Sequence, residues 1–190
     1  TNGLHFWWDL NGDGLYDDGA DQANVSYNYT TSGYYTVGLI VSNAASSNAT
    51  LVRPGYIQVD PAILYVAPDG SETPPFDTWA KAARDIPSAL NLAYDTGSTN
   101  NRAVVMVGDG VYTQSNTFVF NKGVHVKSLN GPANTVIRGT GTNRVAFVDH
   151  PNAVLEGFTL TNGVAFTAGI LNYGGGVYLT NGLLRNCWIV

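Results

Sequence analysis

The chain has 190 residues, 44% of them hydrophobic and only 12% charged, and a formal net charge of −5. Its length allows one or two domains, its apolar share fills a core, and its charged share is about half the usual one. The first Lys or Arg is Arg53, so the basic footprint of a nucleic-acid binder is absent; no stretch reaches transmembrane length, and the single cysteine, Cys187, excludes an intrachain disulfide framework.

The polar surface must come from Asn, Thr, Ser, Tyr and Gly, a pattern that favours β-rich extracellular proteins. The chain opens on Thr-Asn-Gly, without Met and without a signal peptide. It is read as a piece of a longer or processed protein, which leaves secretion open.

The stretch WDLNGDGLYDDGAD occupies residues 8–21. Counting from Asp9, Asn11 is position 3, Asp13 position 5, Gly14 position 6, Leu15 position 7 and Asp17 position 9. This fits the first half of a D-x-[DN]-x-[DN]-G calcium loop. Calcium takes six to eight oxygens, and alternate residues of a tight loop can all aim inward. Position 12 is Ala20 rather than Glu, and Asp18 or Asp21 would have to substitute. The alternative is a hairpin tip built on Asn-Gly and Asp-Gly turns. The candidate metal residues are therefore Asp9, Asn11, Asp13, Leu15, Asp17 and Asp18, and the candidate cofactor is a structural calcium ion.

Strands are predicted on both sides of the loop, over residues 6–9 and 25–29. Val25, Tyr27 and Tyr29 share one parity, and Tyr35, Val37, Leu39 and Val41 share another run after the turn signal at Ser32 and Gly33. Residues 42–50 read as a loop and residues 55–59 as a last strand after Pro54. Residues 1–60 thus have the pattern of a small β-sandwich.

Asp60 and Pro61 mark a boundary. A helical face follows, with Trp79, Ala82, Ala83, Ile86, Leu90 and Ala93, capped by Asp77 or Thr78. It spans about residues 77–95, and Pro87 should kink it or split it in two. From Ala103 onward the chain reads as short strands with Gly and Asn corners. Three lines repeat at 29 residues: Val126, Leu155 and Leu184; Lys127, Glu156 and Arg185; Ser128, Gly157 and Asn186. Neighbouring residues of a strand face opposite sides. The first column then points inward, and the second outward with opposite charges adjacent. A coiled parallel solenoid explains such columns; a sandwich does not.

Two resemblances follow from these residues. Trp8 and Asp9, then Gly12-Asp13-Gly14, then SGYYTVGLIVSN over residues 32–43, resemble the C-terminal part of a PKD domain, an immunoglobulin-like β-sandwich of secreted and surface proteins. The match covers about residues 6–59, and the family's opening strands are missing. Residues 64–190 resemble the start of a right-handed parallel β-helix of the pectin-lyase-like kind. LYVAPDG, a Trp-and-Ala helix and VVMVGDGVY open it; VHVKSLNGPANTVIRG and GGGVYLTNGLLRNCWIV look like coils. The resemblances imply an all-β chain: a partial PKD sandwich over 1–60, then a β-helix over 61–190 whose N-terminal end is capped by the helix. They also imply an extracellular or cell-surface setting in a prokaryote.

No catalytic residue is assigned. Polysaccharide lyases of the β-helix type use clustered acids and a basic residue on one outer face. The candidates are Asp109, Asp149 and Glu156 with Lys127, Arg138 and Arg185, and no pair among them is fixed by the pattern. His125 and His150 stand isolated, and Cys187 reads as a small core residue. One of Trp7 and Trp8 belongs to the core; the other is free to stack on a sugar or pack on a neighbouring domain. The expected partners are a polysaccharide or cell-surface glycan, neighbouring domains or identical chains, with no nucleic acid and no membrane span. The leading expectation is adhesion or glycan contact; the alternatives are a carbohydrate-active enzyme and a fibre subunit.

Overall fold

The computed structural model describes residues 3–43, 48–100, 102–165 and 174–190. The protein is mostly β, consistent with an all-β class, and its described residues include one short α-helix, α1 (Ile86–Leu92), and one 3-10 turn at Trp79–Lys81. The chain divides into two compact units, Thr1–Asp60 and Pro61–Val190. No helix among the described residues is long and apolar enough to cross a membrane.

In the first unit, β1 (Leu4–Asp9), β2 (Gly19–Ala20), β3 (Gly33–Asn43) and β4 (Asn48–Val59) form an antiparallel sheet in the order β2-β1-β3-β4. Trp7 lies opposite Ile40 and Trp8 opposite Leu39, so the two indoles take opposite faces. The described residues of this unit form this one sheet, and a second layer is not among them.

The strand predicted over Val25, Tyr27 and Tyr29 is replaced by an extended segment that joins no ladder. Its tyrosines alternate because they dock by side chain. The Tyr29 hydroxyl donates to the Leu10 carbonyl at 2.8 Å, and its ring packs on Tyr27 and Tyr35 at centroid distances of 4.8 and 4.5 Å. The outer partner of β1 is instead β2, with Ala20 opposite Trp7.

Strands β3 and β4 reach into the predicted loop as far as Asn43 and Asn48, and residues 44–47 of that loop lie outside the described residues. β4 also continues through Pro54, which an edge strand tolerates because proline lacks only a donor. Tyr35 pairs Ile57 and Val37 pairs Arg53, so Pro54, Gly55 and Tyr56 bulge opposite Thr36, with Gly55 at φ +59°.

The described residues of the second unit form ten strands: β5 (Ile63–Val66), β6 (Val104–Val107), β7 (Gly110–Gln114), β8 (Phe118–Phe120), β9 (His125–Ser128), β10 (Thr135–Gly139), β11 (Ala146–Glu156), β12 (Thr159–Thr161), β13 (Val177–Arg185) and β14 (Trp188–Ile189). All pair in parallel, along three lines. The first brings Leu64, Val105, Val126, Leu155 and Leu184 into register. The second aligns Tyr112, Ile137, Leu160 and Ile189. The third aligns Phe118, Ala146 and Val177.

Leu64, Val105, Val126 and Leu155 are fully buried, as are Ile137, Leu160 and Ala146. The three lines therefore enclose one apolar core. Burial declines along each line toward the last strands, where Leu184 and Val177 are partly buried and Ile189 is 55% exposed.

The other end of the first line is covered. The Tyr65 amide donates to the Phe76 carbonyl, the Ala83 amide to the Tyr65 carbonyl and the Ala67 amide to the Ala83 carbonyl, at 2.7–2.9 Å. The free edge of β5 is thus satisfied by residues 76–83, as an exposed edge requires. The helical face splits into two pieces as Pro87 required. Thr78 caps the 3-10 turn, but Asp85 caps α1: its carboxylate accepts from the Ser88 amide at 2.7 Å, and Pro87 sits in the first turn, where a missing N–H costs nothing. Ile86, Ala89 and Leu90 enter the same core as the strands.

The far end of α1 is tied to the corner between β8 and β9. Lys122 Nζ donates to the carbonyls of Leu90, Asn91 and Ala93 at 3.1, 2.6 and 3.1 Å. The Asp95 carboxylate accepts from the Gly123 amide at 2.8 Å, and these amide bonds hold its pKa below the usual carboxylate value, led by the one from Gly123.

Candidate functional site

The acidic loop of the first unit is organised by its own backbone. Asp9 is buried at the end of β1 and accepts from the Gly12 amide at 2.7 Å and the Gly14 amide at 3.0 Å, one on each oxygen. Asp18 Oδ2 accepts from the amides of Leu10 and Asn11 at 2.7 and 3.1 Å. Asp13 accepts from the Leu15 amide and the Asn11 side-chain amide, and Asn11 Oδ1 accepts from the Asp13 amide.

The Leu15 side chain is 60% exposed and Asp17 is exposed. Among the described residues no group of three or more His, Cys, Asp or Glu converges as metal ligands would. As arranged, the side-chain oxygens of Asp9, Asn11, Asp13 and Asp18 accept from N–H groups of the loop itself, the same oxygens that a calcium ion would take.

A prediction follows from this geometry. Asp9→Ala should cost the first unit about 2–3 kcal/mol, because two amides lose a charged acceptor in a buried place. Asp13→Ala should change stability little in calcium-free buffer. Thermal unfolding of both variants with and without calcium checks this. A calcium-dependent rise in Tm that Asp13→Ala abolishes would show the loop rearranging around the ion.

In the second unit, the outward column beside Val126, Leu155 and Leu184 is Tyr65, Met106, Lys127, Glu156 and Arg185. Glu156 is the hinge of this column. Its Oε2 lies 2.8 Å from His125 Nε2 and 3.6 Å from Arg185 Nη1. His125 shares the outward parity of Lys127 on β9, and its pairing with Val154 sets it diagonal to Glu156. Burial pushes the His125 pKa below its ordinary value, against the opposing pull of the Glu156 hydrogen bond. Burial therefore favours the neutral imidazole.

The ladder of alternating charges predicted here is real, but the nearest partner of Glu156 is His125. The i, i+2 spacing of His125 and Lys127 places both on one strand face, but only the register brings His125 to Glu156.

Lys127, Leu129, Asn130, Glu156 and Asn186 line a groove of about 320 Å³ where the middle of this column meets the corners after β9, β11 and β13. Several of these groups are fixed in place. Asn130 Nδ2 donates to both Asp109 oxygens at 3.1 Å, and the Gly131 amide donates to Ser128 Oγ at 3.0 Å. Asn186 adopts φ +48°, a left-handed corner that Asn tolerates. Gly157 has φ +84°, and a Cβ there would run into Ser128 Oγ, so the corner requires glycine.

The other predicted candidates lie apart from this groove's lining. Asp149 accepts from the Thr180 hydroxyl and the Asn181 amide, which hold its pKa below the usual carboxylate value. Arg138 is exposed on β10, in the second line of strands. His150 faces Asp95 at 3.4 Å, and its Nδ1 accepts from the Asn152 amide. Cys187 is half-buried, and burial pushes its thiol pKa up, away from nucleophile character. Compared with protein-family models, with curated proteins and with solved structures, the chain matches none of them.

Proposed function

We propose that the chain is part of an extracellular or cell-surface protein in which a PKD-like module is followed by the capped start of a right-handed parallel β-helix, and that this solenoid makes contact with glycan. One observation carries the reading: the parallel register lines up outward side chains of successive strands, from Met106 through Lys127 and Glu156 to Arg185. From Lys127 onward such a column presents a row of charged groups at the strand spacing of about 4.8 Å, a surface suited to an extended polymer. The fixed groove at Asn130 and Asn186 adds a concave element to that row.

The same face gives the enzymatic reading its one support. His125 and Glu156, in contact at 2.8 Å, are a pair capable of general acid–base work. The fibre reading has less support, because end-to-end stacking needs two open ends and residues 76–83 already bond along β5.

The test is a panel of neutral and acidic oligosaccharides applied to the whole chain, with bound glycan confirmed by calorimetry. Binding to at least one class is expected. Failure to bind across both classes would overturn the reading, and turnover of a bound oligosaccharide would replace adhesion with catalysis.

A further inference from the structure

We infer that the groove at Lys127, Asn130, Glu156 and Asn186 is a subsite for one sugar ring of a neutral oligosaccharide. This rests on the glycan reading above and specifies its place and ligand class.

Size sets the first limit. Small-molecule sites run from about 300 to 1,000 Å³, so a groove of about 320 Å³ holds a single ring-sized group.

Charge sets the second. The lining carries one cation, Lys127, and one carboxylate, Glu156. Burial favours the neutral form of the neighbouring His125. The site is therefore balanced, in a chain whose overall charge is −5. An acidic sugar would gain Lys127 but meet Glu156 at the same time. A neutral sugar meets no such opposition.

The hydrogen-bond inventory is the third argument. Sugar hydroxyls both donate and accept, and they need both kinds of partner. Lys127 offers donors, and no ion pair among the described residues engages it. The His125 and Arg185 contacts of Glu156 both fall on Oε2, so Oε1 keeps its lone pairs for a hydroxyl. Asn130 spends its Nδ2 on Asp109, which leaves its Oδ1 as an acceptor in a fixed orientation. Asn186 supplies both an acceptor and donors. Leu129, 49% exposed, gives the apolar wall against which C–H groups of a ring can lie. Groups held in place before binding cost less ordering entropy on binding.

The experiment is amide chemical-shift mapping on the whole chain with cello-, xylo- and mannotetraose, and with tetragalacturonate as the acidic probe. A neutral tetraose is expected to shift the amides of Asn130, Gly131, Gly157 and Asn186. Lys127→Met should weaken that binding about tenfold, the effect of one charged hydrogen bond. Asn186→Gly keeps the left-handed corner, removes the side chain and should weaken binding as well. An unchanged melting temperature in each variant separates these losses from misfolding. Neutral glycan bound with shifts elsewhere, or with both variants at wild-type affinity, would overturn the subsite and leave the glycan reading standing. Preference for tetragalacturonate would overturn the neutral class. No shift with any of the four probes would overturn the subsite and count against the glycan reading too.

Discussion

Leu155→Ala is expected to lower the stability of the second unit by about 3–5 kcal/mol, the range for a fully buried leucine cut back inside a core that collapses poorly. Leu155 is fully buried, and its strand neighbours in register are Val126 on one side and Leu184 on the other. A cavity at the middle of a column is walled by backbone on both sides, because adjacent strands are held about 4.8 Å apart by their hydrogen bonds. The walls cannot close over it.

Leu184→Ala deletes the same atoms at the last position of the column, where the residue is only partly buried. There the cost should be about 1–2 kcal/mol, chiefly the lost burial. Urea unfolding followed by amide exchange in β9 and β11 measures both. Equal losses at the two positions would mean that the column is not graded from its middle to its end, and the stacked reading of this core would fail.

That column shows what the sequence made legible. Val126, Leu155 and Leu184 repeat at 29 residues because each turn of the chain there has the same length. The earlier members, Leu64 and Val105, share the column but not the period: α1 and its flanks lengthen the step between them, and the turn from Val105 to Val126 is shorter than the later ones. A fixed period finds equal turns and misses unequal ones.

The outward residues Lys127, Glu156 and Arg185 were legible for the same reason. The contact between His125 and Glu156 was not, because it runs diagonally between two strands and depends on a register that spacing alone does not give. In the first unit, alternating tyrosines imitated a strand. Period 2 says only that every second side chain docks, and here they dock on Leu10 and on each other instead of along a ladder. The acidic loop read two ways for an equally physical reason: the Asp and Asn spacing that aims oxygens at an ion also aims them at the loop's own amides.

Lys122→Met is expected to loosen α1 and cost about 2–3 kcal/mol, within the range for hydrogen bonds to a charged donor. The helix has only seven residues, too short to be stable alone in water. Its last carbonyls have no intrahelical donors, and Lys122 Nζ supplies three bonds to Leu90, Asn91 and Ala93 from a corner 29–32 residues later. A cation there also complements the negative end of the helix dipole. Met keeps the length and apolar stem of Lys, so packing survives and only the donors and the charge are lost.

Asp95, which binds the Gly123 amide, holds the same corner from the other side. The helix should therefore stay docked but fray from its C-terminal end. Amide exchange at Leu90, Asn91, Leu92 and Ala93 should quicken more than exchange at Ser88 and Ala89, near the Asp85 cap. Uniform quickening along α1 would instead show that Lys122 holds the whole helix onto the core. Because Ile86, Ala89 and Leu90 close the covered end of that core, the variant would then expose Leu64 and Val66, and the loss of stability would approach that of Leu155→Ala.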